Sequence, residues 1–419
     1  MLIRTNTNLI ALVRYDSRLF RSPLLPIFLI VLVDVLGLTM MMPLLPFYAQ
    51  HLGATPIQVG LLISIYAFFQ LLAGPPLGNL SDRYGRKPVL LFSQLGTFLG
   101  FLMLGFANSL WMAFASRIVD GITAGNLTVA QAYIADVTKP SERTKSFAII
   151  GIAFGIGFLI GPAATGVIAQ HYGEQTAVFT AAGLSLTSIF ATLLLLPSNP
   201  PKPEPEVPLA RAPLFVGTPI KLSVFDWGGY LQYFKRPQLA PLFWQFLVFS
   251  IAFAIFTGGF GLFAERRFTW EGKPFGTREV GLVLTYAGIL GIFIQGGIGK
   301  IMKLFSEKTL LVIGFIGEAF GFAILAMSTT IAMLGVACTV VALSGLLRPI
   351  ISSMISKRAA RSEQGVVIGL TQSLTSISQI VGPITAGILI QNSMLYSWGF
   401  LAAGIASAGL AFLAWDETN

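Results

Sequence analysis

The chain has 419 residues, 54% hydrophobic and only 11% charged, with a formal net charge of +9. That balance lies outside the range of soluble domains and fits a polytopic membrane protein. A basic total invites nucleic-acid binding, but that needs a clustered basic face, and here the cations are scattered through loops between apolar runs. One cysteine, Cys338, and two histidines, His51 and His171, leave no material for an intrachain disulfide or a metal site of paired Cys or His.

Residues 1–23 carry Arg4, Arg14, Arg18 and Arg21 and read as a cytoplasmic segment. The apolar run that follows is too long for the core of a signal peptide and is expected to span the membrane. Twelve runs are long enough to cross roughly 30 Å of hydrocarbon as helices. They cover 25–49, 57–78, 88–107, 110–134, 145–169, 176–196, 239–264, 279–301, 308–327, 330–355, 364–390 and 395–415. With the N-terminus inside, 21 of the 27 Lys and Arg fall in inside segments and four in outside loops; Arg117 and Arg348 lie within helices. The positive-inside rule then places both termini in the cytoplasm, at the inner membrane if the cell is bacterial.

In the first span, Asp34 sits mid-helix among Leu32, Val33, Val35 and Leu36. A carboxylate at that depth faces a cavity, pairs with a cation or carries a proton. Pairing with Arg117 and a role in proton coupling are both open to it. Between the second and third spans runs Gly78-Asn-Leu-Ser-Asp82-Arg-Tyr-Gly85-Arg86-Lys87-Pro88. Its charges require a membrane face, Gly78 allows close helix approach, Gly85 allows a turn, and Pro88 suits the first helical turn that follows. The fourth span holds Arg117 and Asp120, three apart on one helix face, and ends at Asp136. The fifth carries Gly157, Gly161, Pro162 and Gly166.

After the sixth span, 197–219 is rich in proline and reads as a semi-extended linker; 221–234, with Phe225, Trp227, Tyr230 and Tyr233, reads as an interfacial segment. The predicted layout is therefore a six-helix bundle (24–196), a cytoplasmic linker (197–238), a second six-helix bundle (239–415) and a short tail (416–419). The halves repeat weakly at an offset of 221: Gly161, Pro162 and Gly166 map onto Gly382, Pro383 and Gly387 in the eleventh span, and Ser141-Glu142 onto Ser362-Glu363. Glu318 and Arg348 are the buried charges of the second half and are expected to pair. Gln70, Asn126, Gln131, Gln245, Phe249, Phe253, Gln295 and Arg348 are expected around a central cavity, which with few polar groups suits a lipophilic small molecule.

The 78–90 stretch resembles the loop 2–3 signature of the major facilitator superfamily, G-x-L-(a)-D-R-x-G-R-(K)-x-x-L. Arg117 followed by Gly121 resembles that family's fourth-helix signature, and 157–166 its fifth-helix antiporter signature, with Thr165 in place of the penultimate glycine. The first half resembles the tetracycline and multidrug proton antiporters most closely. The resemblance implies two pseudo-repeated six-helix bundles, a substrate site near the midplane, and alternating access. It implies a part in proton transfer for Arg117, beside which Asp34, by its depth, and Asp120 are the candidate proton-coupling carboxylates. It also implies a latch built from Gly78, Asp82, Gly85, Arg86, Lys87 and Asp136 on the cytoplasmic side. Asp120 replaces a neutral polar residue, so it either titrates as well or neutralises Arg117. Loop 8–9 lacks the family's Asp, so a second latch is not expected. Helix 3 lacks the carboxylate of tetracycline–metal exporters, which favours another drug-like substrate. No nucleotide-binding pattern occurs, so the expectation is a monomeric, non-enzymatic transporter without cofactor, driven by protons; a metabolite importer on the same fold is the first alternative, and a non-transporting receptor or scaffold the remote one.

Overall fold

A computed structural model describes residues 24–138, 143–197, 232–359 and 363–418. The N-terminal segment, the proline-rich linker with most of its interfacial segment, and the Ser141-Glu142 and Ser362 repeat positions lie outside the described residues.

The first three spans are single helices: α1 (Leu24–His51), α2 (Pro56–Tyr84) and α3 (Arg86–Gly105). The fourth expected span is two helices, α4 (Leu110–Thr123) and α5 (Asn126–Val137). The break follows from its own sequence. Gly121 and Gly125 weaken the helix, and the Thr123 hydroxyl bonds back to the carbonyls of Val119 and Asp120. Next come α6 (Arg143–Tyr172), α7 (Glu174–Leu195) and α8 (Ala240–Arg267). A two-stranded hairpin, β1 (Thr269–Trp270) with β2 (Lys273–Pro274), joins α8 to α9 (Thr277–Leu304). Its turn residues, Glu271 and Gly272, have φ of 52° and 78°, the left-handed pair that a two-residue hairpin turn needs.

α10 (Glu307–Met327) is a single helix. The tenth span is again broken, into α11 (Ile331–Ala342) and α12 (Leu347–Arg358) around a 3₁₀ turn at Leu343–Leu346. Pro349 cannot donate to the carbonyl four residues back, in Gly345, and the tighter turn takes up the slack. α13 (Gln364–Gln391) and α14 (Leu395–Thr418) complete the chain. Counting the two broken spans once each, twelve crossings are described, in two groups of six.

The repeated glycine–proline motifs pack the groups together. In α6, Gly157 lies against Val35 and Gly161 against Thr39 of α1, with no room for a side chain at either glycine. On the same helix the neighbouring Pro162 carbonyl meets Gly281 of α9, and Gly166 meets the Arg278 backbone. α13 repeats this with the halves exchanged: Gly382 packs on Ala254 of α8, while Pro383 and Gly387 pack on Gly60 and Pro56 of α2. Each motif helix thus binds one helix of its own half and one of the other. Thr165, the departure from the fifth-helix pattern, is fully buried and donates to the Met40 carbonyl at 3.1 Å, so it bonds where a glycine would only pack.

Candidate functional site

The charged signature between α2 and α3 is shorter than a loop. α2 stays helical through Asp82 to Tyr84, and Gly85 alone makes the turn, at φ 96° and ψ 155°. That backbone is strained for any residue with a Cβ. The turn aims Arg86 at two carboxylates: Asp82 at 2.5 Å and Asp136, at the end of α5, at 2.7 Å. Arg86 also donates to Ser81, and Lys87 donates to the Leu193 and Leu196 carbonyls of the α7 end. The cluster ties the ends of α2, α3, α5 and α7 together. A Cβ on Gly78 would lie 3.6 Å from the Thr128 methyl of α5, an ordinary contact, so the approach expected there does not demand a glycine.

A second cluster stands at the equivalent place in the other half, with its charges reversed. The offset of 221 carries Asp82 onto Lys303, Arg86 onto Glu307 and Asp136 onto Lys357. Glu307, at the start of α10, pairs with Lys357, at the end of α12. The missing Asp of loop 8–9 therefore does not leave the site without an ion pair. The inverted pair shares its positions with the first half, not its residue types.

Arg117 does not pair with Asp34. Its guanidinium bonds Asp120 at 3.1 Å, both side chains being about 5% exposed, and lies 5.3 Å from the centre of the Phe101 ring. Gly100 gives Asp120 its room, since a Cβ there would fall 2.8 Å from the Asp120 Cβ. Asp34 is half-buried, without an ion pair among the described residues, and lies beside Gln94 and Ser188. Gln94 donates to Ser188 at 2.7 Å. Neither is among the residues expected at the site. Gln94 was legible as a polar residue in an apolar span, whereas a lone serine carries no signal. Tyr66, which accepts a bond from Gln70, belongs to the same neighbourhood as Asp34, Arg117 and Asp120.

Glu318 and Arg348 do not pair either. Glu318 is completely enclosed, and neither carboxylate oxygen has a hydrogen-bond partner among the described residues. Arg348 is exposed and donates to Thr375 at 3.0 Å. Of the expected cavity residues, Gln70, Asn126, Gln131, Phe253, Gln295 and Arg348 are at least partly accessible. Gln245 and Phe249 are not: both are buried in the second half, Phe249 edge-on to Phe246 and stacked on Phe253. The aromatic face of α8 is largely packing.

Among the described residues four hydrogen bonds join the halves, all toward the end that holds the His51–Thr55 and Phe268–Gly276 connections. Gln50 bonds Glu265 at 3.0 Å, and Thr277 bonds Glu174 at 2.6 Å. Ser64 bonds the Ile380 carbonyl at 2.7 Å, and the Ile57 amide bonds Gln391 at 3.3 Å. At the Asp82 end three ion pairs each lie within one half: Arg86 with Asp136, Lys357 with Glu307, and Arg236 with Glu363.

Paired six-helix groups, an Arg86 cluster at one end and seams sealed at the other describe a particular architecture. The family model of the Major Facilitator Superfamily matches residues 27–317 and 273–417. The chain belongs to that superfamily. It is 31% identical over 388 residues to the tetracycline resistance protein, class H, of Pasteurella multocida, covering 90% of each chain. It is 28% identical over 405 residues to multidrug resistance protein 2 of Bacillus subtilis (strain 168), covering 93% of this chain and 95% of that one. The solved human organic anion transporter MFSD10 (TETRAN) shares the fold, with a TM-score of 0.68 at 21% identity over 94% of this chain and 99% of that one. A superfamily member with these twelve crossings is an integral, multi-pass membrane transporter.

Proposed function

We propose that this protein is a proton-coupled antiporter that exports lipophilic, drug-like compounds by alternating access. The observation that carries the reading is the contrast between two carboxylates at membrane depth. Asp120 is committed to Arg117 and covered. Asp34 is only partly buried and has no cation partner among the described residues, so it is available to take up and release a proton. Arg117 and Asp120 stand close by and tune it. The names of the relatives support drug-like cargo.

The charge count supports placing both termini and the Arg86 cluster in the cytoplasm. On that orientation the sealed end is external and the conformation is inward-facing. The Arg86 and Glu307 clusters are then the parts of a cytoplasmic latch, unlatched here. Export proceeds when a proton reaching Asp34 from outside is released inside, and the halves rock about the two glycine–proline seams.

The test is substrate accumulation in everted vesicles, with a panel of lipophilic compounds, with and without an imposed pH gradient. Wild-type protein is expected to concentrate at least one compound in response to the gradient. Asp34→Asn is expected to lose that response while retaining downhill exchange. Gradient-driven accumulation by the Asn variant moves the coupling role to Asp120 or Glu318.

A further inference from the structure

We infer that Arg348 forms a subsite for an anionic group, a carboxylate or an enolate, carried by a lipophilic aromatic substrate. The inference deepens the transport reading above and rests on it for the location of the cavity. Two charged residues lie at membrane depth in the described part of the second half. Glu318 is sealed inside the helix packing. Arg348 is accessible, and no carboxylate lies within ion-pair distance of it among the described residues. A guanidinium at such depth costs several kcal/mol unless it meets water or an anion.

The surroundings hold the group in place without satisfying it. An arginine offers five N–H donors, and Arg348 gives one to Thr375 of α13. The Phe246 ring centre lies 5.9 Å away, on α8. The helix carrying Arg348 starts just after the 3₁₀ turn, and Leu347, Ile350 and Ile351 are buried around it, so the base of the side chain is fixed. Three helices thus hold a planar fork whose remaining donors have no partner among the described residues. That fork matches the two oxygens of a carboxylate, which a point charge such as lysine does not.

Its position relative to Asp34 strengthens the inference. Asp34 is ten residues in from the start of α1 at Leu24, and Arg348 is ten residues in from the end of α12 at Arg358. At ~1.5 Å per residue both are ~15 Å deep from the same end. One accessible charge of each sign, one on each half and at one depth, suits an amphiphile whose acidic group goes to the second half. Nothing at the corresponding position of the first half competes: the offset of 221 places Leu127 opposite Arg348.

The test is equilibrium binding of 2-naphthoate and of its methyl ester to the full-length protein in lipid nanodiscs, without any gradient. Wild-type protein is expected to bind the carboxylate at least tenfold more tightly than the ester. Arg348→Gln is expected to weaken carboxylate binding about tenfold and leave the ester unchanged, and Arg348→Lys to restore part of the loss. Thr375→Val, which removes the oriented hydroxyl, is expected to weaken the carboxylate about threefold. The inference is overturned if wild-type protein binds the carboxylate no better than the ester, or if Arg348→Gln leaves carboxylate binding intact or weakens both ligands equally. Because no gradient is present, this outcome is separate from proton-driven export, which the vesicle assay reads by itself.

Discussion

At the scale of single residues, several positions do something their neighbours in the chain do not foretell. Thr165 stands where the fifth-helix pattern has glycine, and its hydroxyl bonds the Met40 carbonyl of α1. A net protein–protein hydrogen bond is worth about 1 kcal/mol, and Val fills the same space. Thr165→Val is therefore expected to lower stability by about 1 kcal/mol, or a few degrees in the detergent melting temperature, with transport largely kept. A melting curve unchanged from wild type shows that the bond contributes nothing. Gly85 is of another kind. The sequence marks it as the residue that permits a turn, and at φ 96° it is the whole of the turn. Asp34 and Arg117 were legible as charges in apolar runs, but which acid Arg117 holds was not. The i,i+3 spacing to Asp120 made that pairing available, and the packing of α3 on α4, through Gly100, made it real.

At the scale of elements, the twelve runs of the sequence correspond to twelve crossings because each run must satisfy its backbone hydrogen bonds internally. The breaks within the fourth and tenth crossings were not expected, since hydropathy records length and not continuity. The reversed ion pair is the other feature that emerges at this scale. Arg86–Asp136 and Glu307–Lys357 tie equivalent helix ends with opposite polarity. The Glu307–Lys357 pair is largely exposed, and such pairs are worth up to about 1 kcal/mol. Glu307→Lys alone, which sets two cations together, is expected to reduce transport two- to fivefold at matched membrane expression. Glu307→Lys combined with Lys357→Glu, which recreates at this place the polarity of the first half, is expected to restore it. A double variant no better than the single one shows that the pair has no joint role.

At the scale of the whole molecule, orientation is the property the fold leaves open, because a bundle of helices has no inherent inside. The distribution of Lys and Arg supplies the direction. Cysteine probes introduced beside Lys273 in the α8–α9 hairpin are expected to react with an impermeant reagent from outside intact cells, and probes beside Glu307 only after the membrane is opened. Labelling in the opposite sense reverses the orientation and makes the present conformation outward-facing.

The sequence by itself determined the class, the number of crossings, the division into halves and the charged residues at membrane depth. Each of these follows from local chemistry: hydrocarbon excludes charge and unpaired backbone, glycine permits close approach, and proline interrupts. Partner choice was decided only by the tertiary structure. Arg117 takes Asp120 and leaves Asp34 open, Glu318 is sealed away from Arg348, and Gln245 and Phe249 turn into the packing of the second half instead of the cavity. A sequence places a charge on a helix. Which face that helix turns to which neighbour depends on close contacts among helices far apart in the chain, such as Gly281 on Pro162 and Gly60 on Pro383, and those contacts exist only once both halves are folded together.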